Sequence, residues 1–384
     1  MRKDIPFGKP IMGDEEYAAV TEVLKSGILV HGPRVKAFEA DFAAYTDAPH
    51  ALAVGSCTAG LHLAWMDLDI GPGDEVIVPA QTHTATAHAV EFTGAAPVFV
   101  DCDPITGNID LDLIEEALSP RTKGICVVHY LGLPVDMDRV NAIARERGLF
   151  VLEDCALSIG ARFKGVHTGL LGDAGSFSFY PVKHMTTAEG GMFLTRHADL
   201  AARIGTKRAF GVDRVVGERK TPGVYDVVCL GYNYRMNELG AALGVEQLKR
   251  IDGFLSQRRE NYLALAALLA GVDELRVLDS AGRGDFQSSF YCLSVVLSEK
   301  LRERRVAIVE ELKAMGVGTS VYYPRPVPHM AYYRKKYGFR EDSYPKAAAI
   351  SYGSIALPVG PHLDGEDMHF IATALKHALR KVLA

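Results

Sequence analysis

The chain has 384 residues, 48% of them hydrophobic and 23% charged, with a formal net charge of −5. That balance describes folded globular domains and excludes disorder or a coiled coil as a description of the whole. No long basic run suits nucleic acid, no apolar run reaches the roughly 20 residues of a membrane span, and MRKDIPFGKP lacks a signal peptide's apolar core. A cytoplasmic protein with neither nucleic acid nor membrane as partner is expected.

Taken in order, Val35, Phe38, Phe42 and Tyr45 recur at helical spacing. From there, short apolar runs predict strands at Leu52–Val54, Val76–Val78, Val98–Val100, Ile125–Val128, Phe150–Leu152, Ser176–Phe179 and Met192–Leu194. Helical patterns fall between the early ones at Leu61–Leu68, Ala85–Phe92, Leu111–Leu118 and Asp138–Arg147. Strand–helix alternation of this kind predicts an α/β fold with a mostly parallel sheet covered by helices on both faces. Arg208–Asp226, rich in glycine, reads as a long loop. One long helix is predicted over Arg235–Leu255. Further helices are expected at Tyr262–Leu269, Lys300–Met315 and Asp367–Leu383, with strand-like pieces at Ser289–Leu297. This suggests a large domain over 1–256, the N-terminal segment included, and a smaller C-terminal α/β domain over 257–384.

The six cysteines, Cys57, Cys102, Cys126, Cys155, Cys229 and Cys292, form no C-x-x-C pair and read as reduced, mostly buried thiols. No metal site is expected. Three segments carry chemistry. In ALAVGSCTAGLHLAWM a strand opens into a helix whose free N–H groups, with the Thr58 hydroxyl, suit a phosphate, although an ordinary capped helix has the same pattern. In FVLEDCALS, Asp154 follows a buried strand at the edge where open α/β sheets hold ligands, or it is a helix N-cap. In GSFSFYPVKHMTTAEGGMFLT, Lys183 sits among apolar residues, where its amine becomes a usable nucleophile, though a lone loop lysine is ordinarily just solvated. A phosphate cradle, a carboxylate for a pyridine nitrogen and a Schiff-base lysine are together what pyridoxal phosphate requires.

At these residues the chain resembles a family. SFSFYPVKHMTTAEGG, EDCALS, VHYLGLPVDM, VGSCTAGLHLA and GYNYRMNELGAALG are similar to the DegT/DnrJ/EryC1/StrS aminotransferases, over a span from Ile5 to near His362. The resemblance implies a fold-type I enzyme that uses pyridoxal 5'-phosphate, with pyridoxamine 5'-phosphate as intermediate. Such an enzyme moves an amino group from an amino acid, glutamate in the first instance, to a keto or aldehyde sugar, free or nucleotide-linked, in aminosugar biosynthesis. It implies Lys183 as the lysine that bonds the cofactor and shuttles a proton, and Asp154 as the partner of the ring nitrogen. Thr58, Ala59 and Ser178 match the phosphate site, and Asn233 matches an asparagine that reaches the neighbouring subunit's cofactor in a homodimer. Tyr322–Tyr333 corresponds to a segment near the sugar.

Two positions depart from the family's pattern. His83 stands where an aromatic residue stacks on the ring, and Leu157 where Gln or His contacts the ring hydroxyl. Sugar dehydratases of the same family replace the lysine by histidine; aligning TTAEGG puts Lys183, not His184, at that position. A pyridoxamine-phosphate-dependent deoxysugar dehydratase and a regulatory protein that binds the cofactor without catalysis are the alternatives. Arg208, Arg214, Arg219 and Lys220 could meet a diphosphate or form a solvated basic loop.

Overall fold

The computed structural model describes residues 4–213, 221 and 224–383. Its first strands are β1 (His50–Val54), β2 (Glu75–Pro79), β3 (Ala96–Val100), β4 (Thr122–Val128) and β5 (Phe150–Asp154). After two short strands, β6 (Arg162–Phe163) and β7 (Val166–His167), come β8 (Ala174–Ser178) and β9 (Gly191–Thr195). A seven-stranded sheet has the order β1-β9-β8-β5-β4-β2-β3. Strand β9 runs antiparallel to both its neighbours, while the pairs from β8 through to β3 are parallel. The seven apolar runs from Leu52–Val54 to Met192–Leu194 fall on this sheet, with Phe179 just past the end of β8, while the strand-like piece within Ser289–Leu297 is β12 of a second sheet.

Eight helices accompany it: α1 (Asp14–Ser26), α2 (Pro33–Thr46), α3 (Cys57–Asp67), α4 (Thr84–Glu91), α5 (Ile114–Ala117), α6 (Met137–Arg147), α7 (Ala198–Lys207) and α8 (Glu238–Lys249). The two-residue period of a strand sends alternate side chains to opposite layers. Val76 and Val78 join Trp65, Leu152 and Phe193 in one core, whereas Ile77 joins Ile125, Val151 and Val140 in another. A third core holds Phe38 and Phe42 of α2 against Phe177, Met192 and Leu194.

The rest of the chain contributes α9 (Ile251–Leu269), β10 (Leu275–Val277), β11 (Phe286–Gln287), β12 (Leu293–Leu297), α10 (Glu299–Arg302), α11 (Arg305–Ala314), α12 (Ala331–Tyr337), α13 (Pro345–Gly353), β13 (Ser354–Leu357) and α14 (Gly365–Leu383). An antiparallel sheet, β10-β12-β13, packs with α9, α11 and α14 around Leu265, Ile308, Leu357 and Leu375. Ile5 belongs to this second body, exchanging backbone hydrogen bonds of 2.8 Å with Gly316 and Gly318. Conversely, Tyr322, Tyr323, Tyr333 and Ile350 lie in the core under the large sheet.

Several elements differ from expectation. The single helix over Arg235–Leu255 is two, α8 and α9, parted at Arg250, whose φ/ψ of −106°/0° is not helical. The N-terminal segment crosses at that break: the Ile11 carbonyl accepts from Gln247 Nε2 at 2.8 Å and Arg250 Nη2 at 3.0 Å. Helix α9 then runs unbroken to Leu269, so residues 256 and 257, where the domain division was set, lie inside it. The segment Leu111–Leu118 is a 3-10 turn followed by the single turn of α5, and α1 had no counterpart in the reading of the sequence.

Candidate active site

Strand β5 delivers Asp154 to the C-terminal edge of the parallel strands, 4% exposed. Its Oδ2 accepts from Thr86 Oγ1 at 2.7 Å and its Oδ1 from the Ala156 N–H at 3.0 Å. Thr86 Oγ1 lies 2.7 Å from Thr82 Oγ1. The Cys57 thiol is 3.2 Å from the Ser176 carbonyl and 3.8 Å from Asp154 Oδ1; burial, with Asp154 alongside, pushes it well above an ordinary thiol's range.

Lys183 follows β8 in a loop stitched by its own backbone. The Lys183 N–H donates to the Tyr180 carbonyl at 2.8 Å, Thr186 Oγ1 donates to Phe179 at 2.9 Å, and Ala188 adopts φ +64°. The amine lies 5.3 Å from the centre of the Tyr291 ring and has no hydrogen-bond or ion-pair partner among the described residues. Burial of the amine lowers its pKa below that of an ordinary lysine, with Asp154 pulling in the opposite direction. Behind it, Arg258 donates to the carbonyls of Tyr291 at 2.8 Å and Lys183 at 3.4 Å. No carboxylate among the described residues pairs with this buried guanidinium.

Helix α3 starts beside these two groups because Ser56 caps it: Ser56 Oγ accepts from the Ala59 N–H at 3.1 Å. The Ala59 N–H is thus engaged, and the N–H groups of Cys57 and Thr58 are the ones without an intrahelical acceptor. Gly60 and Gly191 permit the close approach. A Cβ on Gly60 would meet Ser176 Oγ at 2.2 Å, and one on Gly191 would meet the Phe177 carbonyl oxygen and the Ser56 backbone at 2.6 Å. Ser178, half-buried at the end of β8, accepts from the Tyr180 N–H at 3.4 Å through Oγ.

His83 is the N-cap of α4. Its Nδ1 accepts from the Ala85 N–H at 3.1 Å, which places the ring proton on Nε2. Though the residue is exposed, partial desolvation of its ring and then the charge of Lys183 lower its pKa, and the ring meets that of Tyr323 edge-on at 5.6 Å. Tyr322 is held over the same loop by Gln81 Nε2, 2.9 Å from its carbonyl, and Val327 donates to Ala80 at 3.0 Å. So the Tyr322–Tyr333 segment and His83 adjoin. Leu157 is buried at 1% exposure in the core under the sheet. Asn233 is exposed, in an isolated bridge with Ala209. Arg208 is committed to Glu39 Oε1 and the Ala53 carbonyl, each at 2.6 Å. Arg214, Arg219 and Lys220 lie outside the described residues.

Lys183, Asp154, His83 and the start of α3 therefore converge, while Asn233 lies exposed beside Ala209. The reading of the sequence missed Thr82, Thr86, Tyr291 and Arg258. Nothing in the spacing of the two threonines was a signal, because Thr82 precedes the His83 cap and only Thr86 lies within α4. His129, Glu153 and Cys155 bring three metal-ligand types within 4.8 Å of one another. Glu153, however, accepts from His129 Nε2 at 2.8 Å and from the N–H groups of Gly169, Leu171 and Gly172 at 2.7 Å, and His129 Nδ1 accepts from Val135. These bonds hold the turn into β8 and occupy the ligand atoms of both residues.

An amine with no hydrogen-bond or ion-pair partner among the described residues, near a strand-end carboxylate and a helix N-terminus, is an arrangement that suits a fold-type I transferase. The chain belongs to the DegT/DnrJ/EryC1/StrS aminotransferase family, which matches residues 10–376. It is 38% identical over 383 residues to the spore coat polysaccharide biosynthesis protein SpsC of Bacillus subtilis, covering 98% of this chain and 97% of that one. Spr1654 of Streptococcus pneumoniae, assigned as a sugar aminotransferase and solved in a PMP form, superposes with a TM-score of 0.93 at 30% identity, over 99% of this chain and 100% of that one. PseC of Helicobacter pylori, an aminotransferase of pseudoaminic acid biosynthesis, gives 0.92 at 26% identity with the same coverage.

Proposed function

We propose that the protein is a pyridoxal-phosphate-dependent aminotransferase that passes an amino group from glutamate to a keto or aldehyde sugar, free or nucleotide-linked. The observation that carries this reading is the amine of the half-buried Lys183, with lowered pKa and no hydrogen-bond or ion-pair partner among the described residues, in the field of Asp154. The donor set suits the cofactor: a nucleophilic amine, a carboxylate, a helix N-terminus with two unspent N–H groups, and the hydroxyls of Thr58 and Ser178. When bound, pyridoxal phosphate supplies an aldehyde that condenses with amines and a protonated ring that draws electrons from the amine's carbon.

The chain's own residues do the rest. Lys183 Nζ would hold the cofactor and, as a free amine of lowered pKa, would move the proton from the donor's α-carbon. Asp154 keeps a proton on the ring nitrogen. Thr58, Ser178 and the start of α3 take the phosphate, where Ala59 contributes only in competition with the Ser56 cap. His83 would supply the ring beside the cofactor where the family has an aromatic residue, and Leu157 would give that site an apolar wall. Tyr322–Tyr333 borders the sugar.

We place Asn233 in the site of a second copy. Its exposure supports this, as does the apolar surface of Ile28, Leu29, Val30, Val227, Val228 and Leu230, all 45–72% exposed. Mass analysis of the reaction tests the proposal. With pyridoxal phosphate, glutamate and a keto sugar, 2-oxoglutarate and an aminated sugar are expected together, and Lys183→Ala is expected to form neither. Release of a deoxy product without amination would overturn the proposal in favour of dehydration.

A further inference from the structure

We propose that Thr86, backed by Thr82, is the positioning residue of Asp154, through a two-hydroxyl chain that fixes the orientation of the carboxylate. Both threonines are fully buried, and the three oxygens are linked by contacts of 2.7 Å each. An ionised carboxylate only accepts, so the Thr86 hydroxyl gives its proton to Asp154 Oδ2. Thr86 Oγ1 is then the acceptor for the Thr82 hydroxyl, and the chain has a single direction. A bond at the end of such a chain is strengthened by the one behind it.

The geometry is not that of a threonine filling a helix. A helical threonine ordinarily returns its hydroxyl to the carbonyl one turn back. Thr86 instead reaches a residue 68 positions away in sequence, in another element. The second carboxylate oxygen accepts from the Ala156 N–H at 3.0 Å. Rotation of the carboxyl group would break one or both of these bonds. The carboxylate is thus clamped between α4 and its own chain; the Cys57 thiol stands 3.8 Å from Oδ1 but closer, at 3.2 Å, to the Ser176 carbonyl, which leaves the carboxylate room for one further partner. The inference rests on the reading above, in which that partner is the pyridine N–H.

The test uses the full chain, stripped of cofactor and titrated with pyridoxal phosphate, as wild type and as Thr86→Val, Thr86→Ser and Thr82→Val. Valine keeps the shape and removes the hydroxyl. Thr86→Val is expected to bind the cofactor about tenfold more weakly, the scale of one hydrogen bond to a charged group. The pH midpoint of its bound visible band should also shift, because the ring proton is held less firmly. Thr86→Ser should restore both readouts, which a purely structural role would not require. Thr82→Val should move both in the same direction by less. Thr86→Val with wild-type affinity and band titration overturns the inference. Should Thr86→Val fail to fold, as a thermal melt of the apo chain would show, Thr82→Val identical to wild type overturns it instead. Wild-type chain that takes up no pyridoxal phosphate overturns the functional reading beneath it, a result distinct from a binding wild type matched by its variants.

Discussion

Burying the amine of Lys183 has two consequences with one pH dependence: a better nucleophile and a less stable apo chain. The folded pKa is lowered by burial, while an unfolded lysine titrates at about 10.4. Below the folded value both states carry the proton and the cost of burying the charge is felt in full. As pH rises through the folded value toward the unfolded one, the folded chain sheds its proton first and stability is gained. Apo Lys183→Met is therefore expected to melt above the apo wild type at about pH 6, with the gap narrowing toward about pH 9.5. A gap in calorimetry that stays constant or widens would contradict this. Lys183 and Asp154 were legible in the sequence because each is a charge set among apolar residues, and such a charge needs a reason. Thr82 and Thr86 were not. Threonine is common in helices, and the partner of Thr86 is decided by how α4 meets the end of β5, 68 residues downstream. Arg258 was hidden for the same reason, since its contacts come from Lys183 and Tyr291.

Helix α3 is the element that turns a strand end into a site, and its position depends on two glycines. Gly191 is the tighter, because an added Cβ would meet backbone on both sides, the Phe177 carbonyl oxygen and Ser56, at 2.6 Å. Backbone cannot move aside as a side chain can. Gly191→Ala is expected to lose about 3 kcal/mol or more of folding stability, the upper end for overpacking, and chemical denaturation of the variant measures it. Unchanged stability would mean that α3 does not approach β8 and β9 so closely. All seven strands of the large sheet were legible, since strands buried on both faces are runs of apolar residues. The antiparallel direction of β9 was not, because a run of apolar residues carries no sense of direction. Nor was the break at Arg250: the apolar pattern passes through it, and the break coincides with the crossing of the N-terminal segment at Ile11.

The core under the large sheet and that of the C-terminal body are interleaved along the chain, with Ile5 in the latter and Tyr322, Tyr323, Tyr333 and Ile350 in the former. Composition along the sequence marks no such exchange, so the division into two bodies was legible only in outline; we keep it as a proposal, with α9 as its shared helix. At the scale of the assembly, Asn233 and Lys183 should act from different copies. Lys183→Ala and Asn233→Ala chains, each inactive alone, are expected to regain activity when refolded together, since a mixed dimer holds one site with both residues intact. No recovery despite mixed dimers would place Asn233 outside the site. No described helix is long and apolar enough to cross a membrane. The central claim is that Lys183 carries pyridoxal phosphate and exchanges it with an amino acid. The most direct measurement is the visible spectrum of the loaded protein before and after glutamate, followed by borohydride reduction and peptide mapping of an untreated portion. A yellow band that bleaches with glutamate, and a reduced cofactor mapped to Lys183, is the predicted result. A chain that stays colourless with pyridoxal phosphate, or a label on any other lysine, would contradict it.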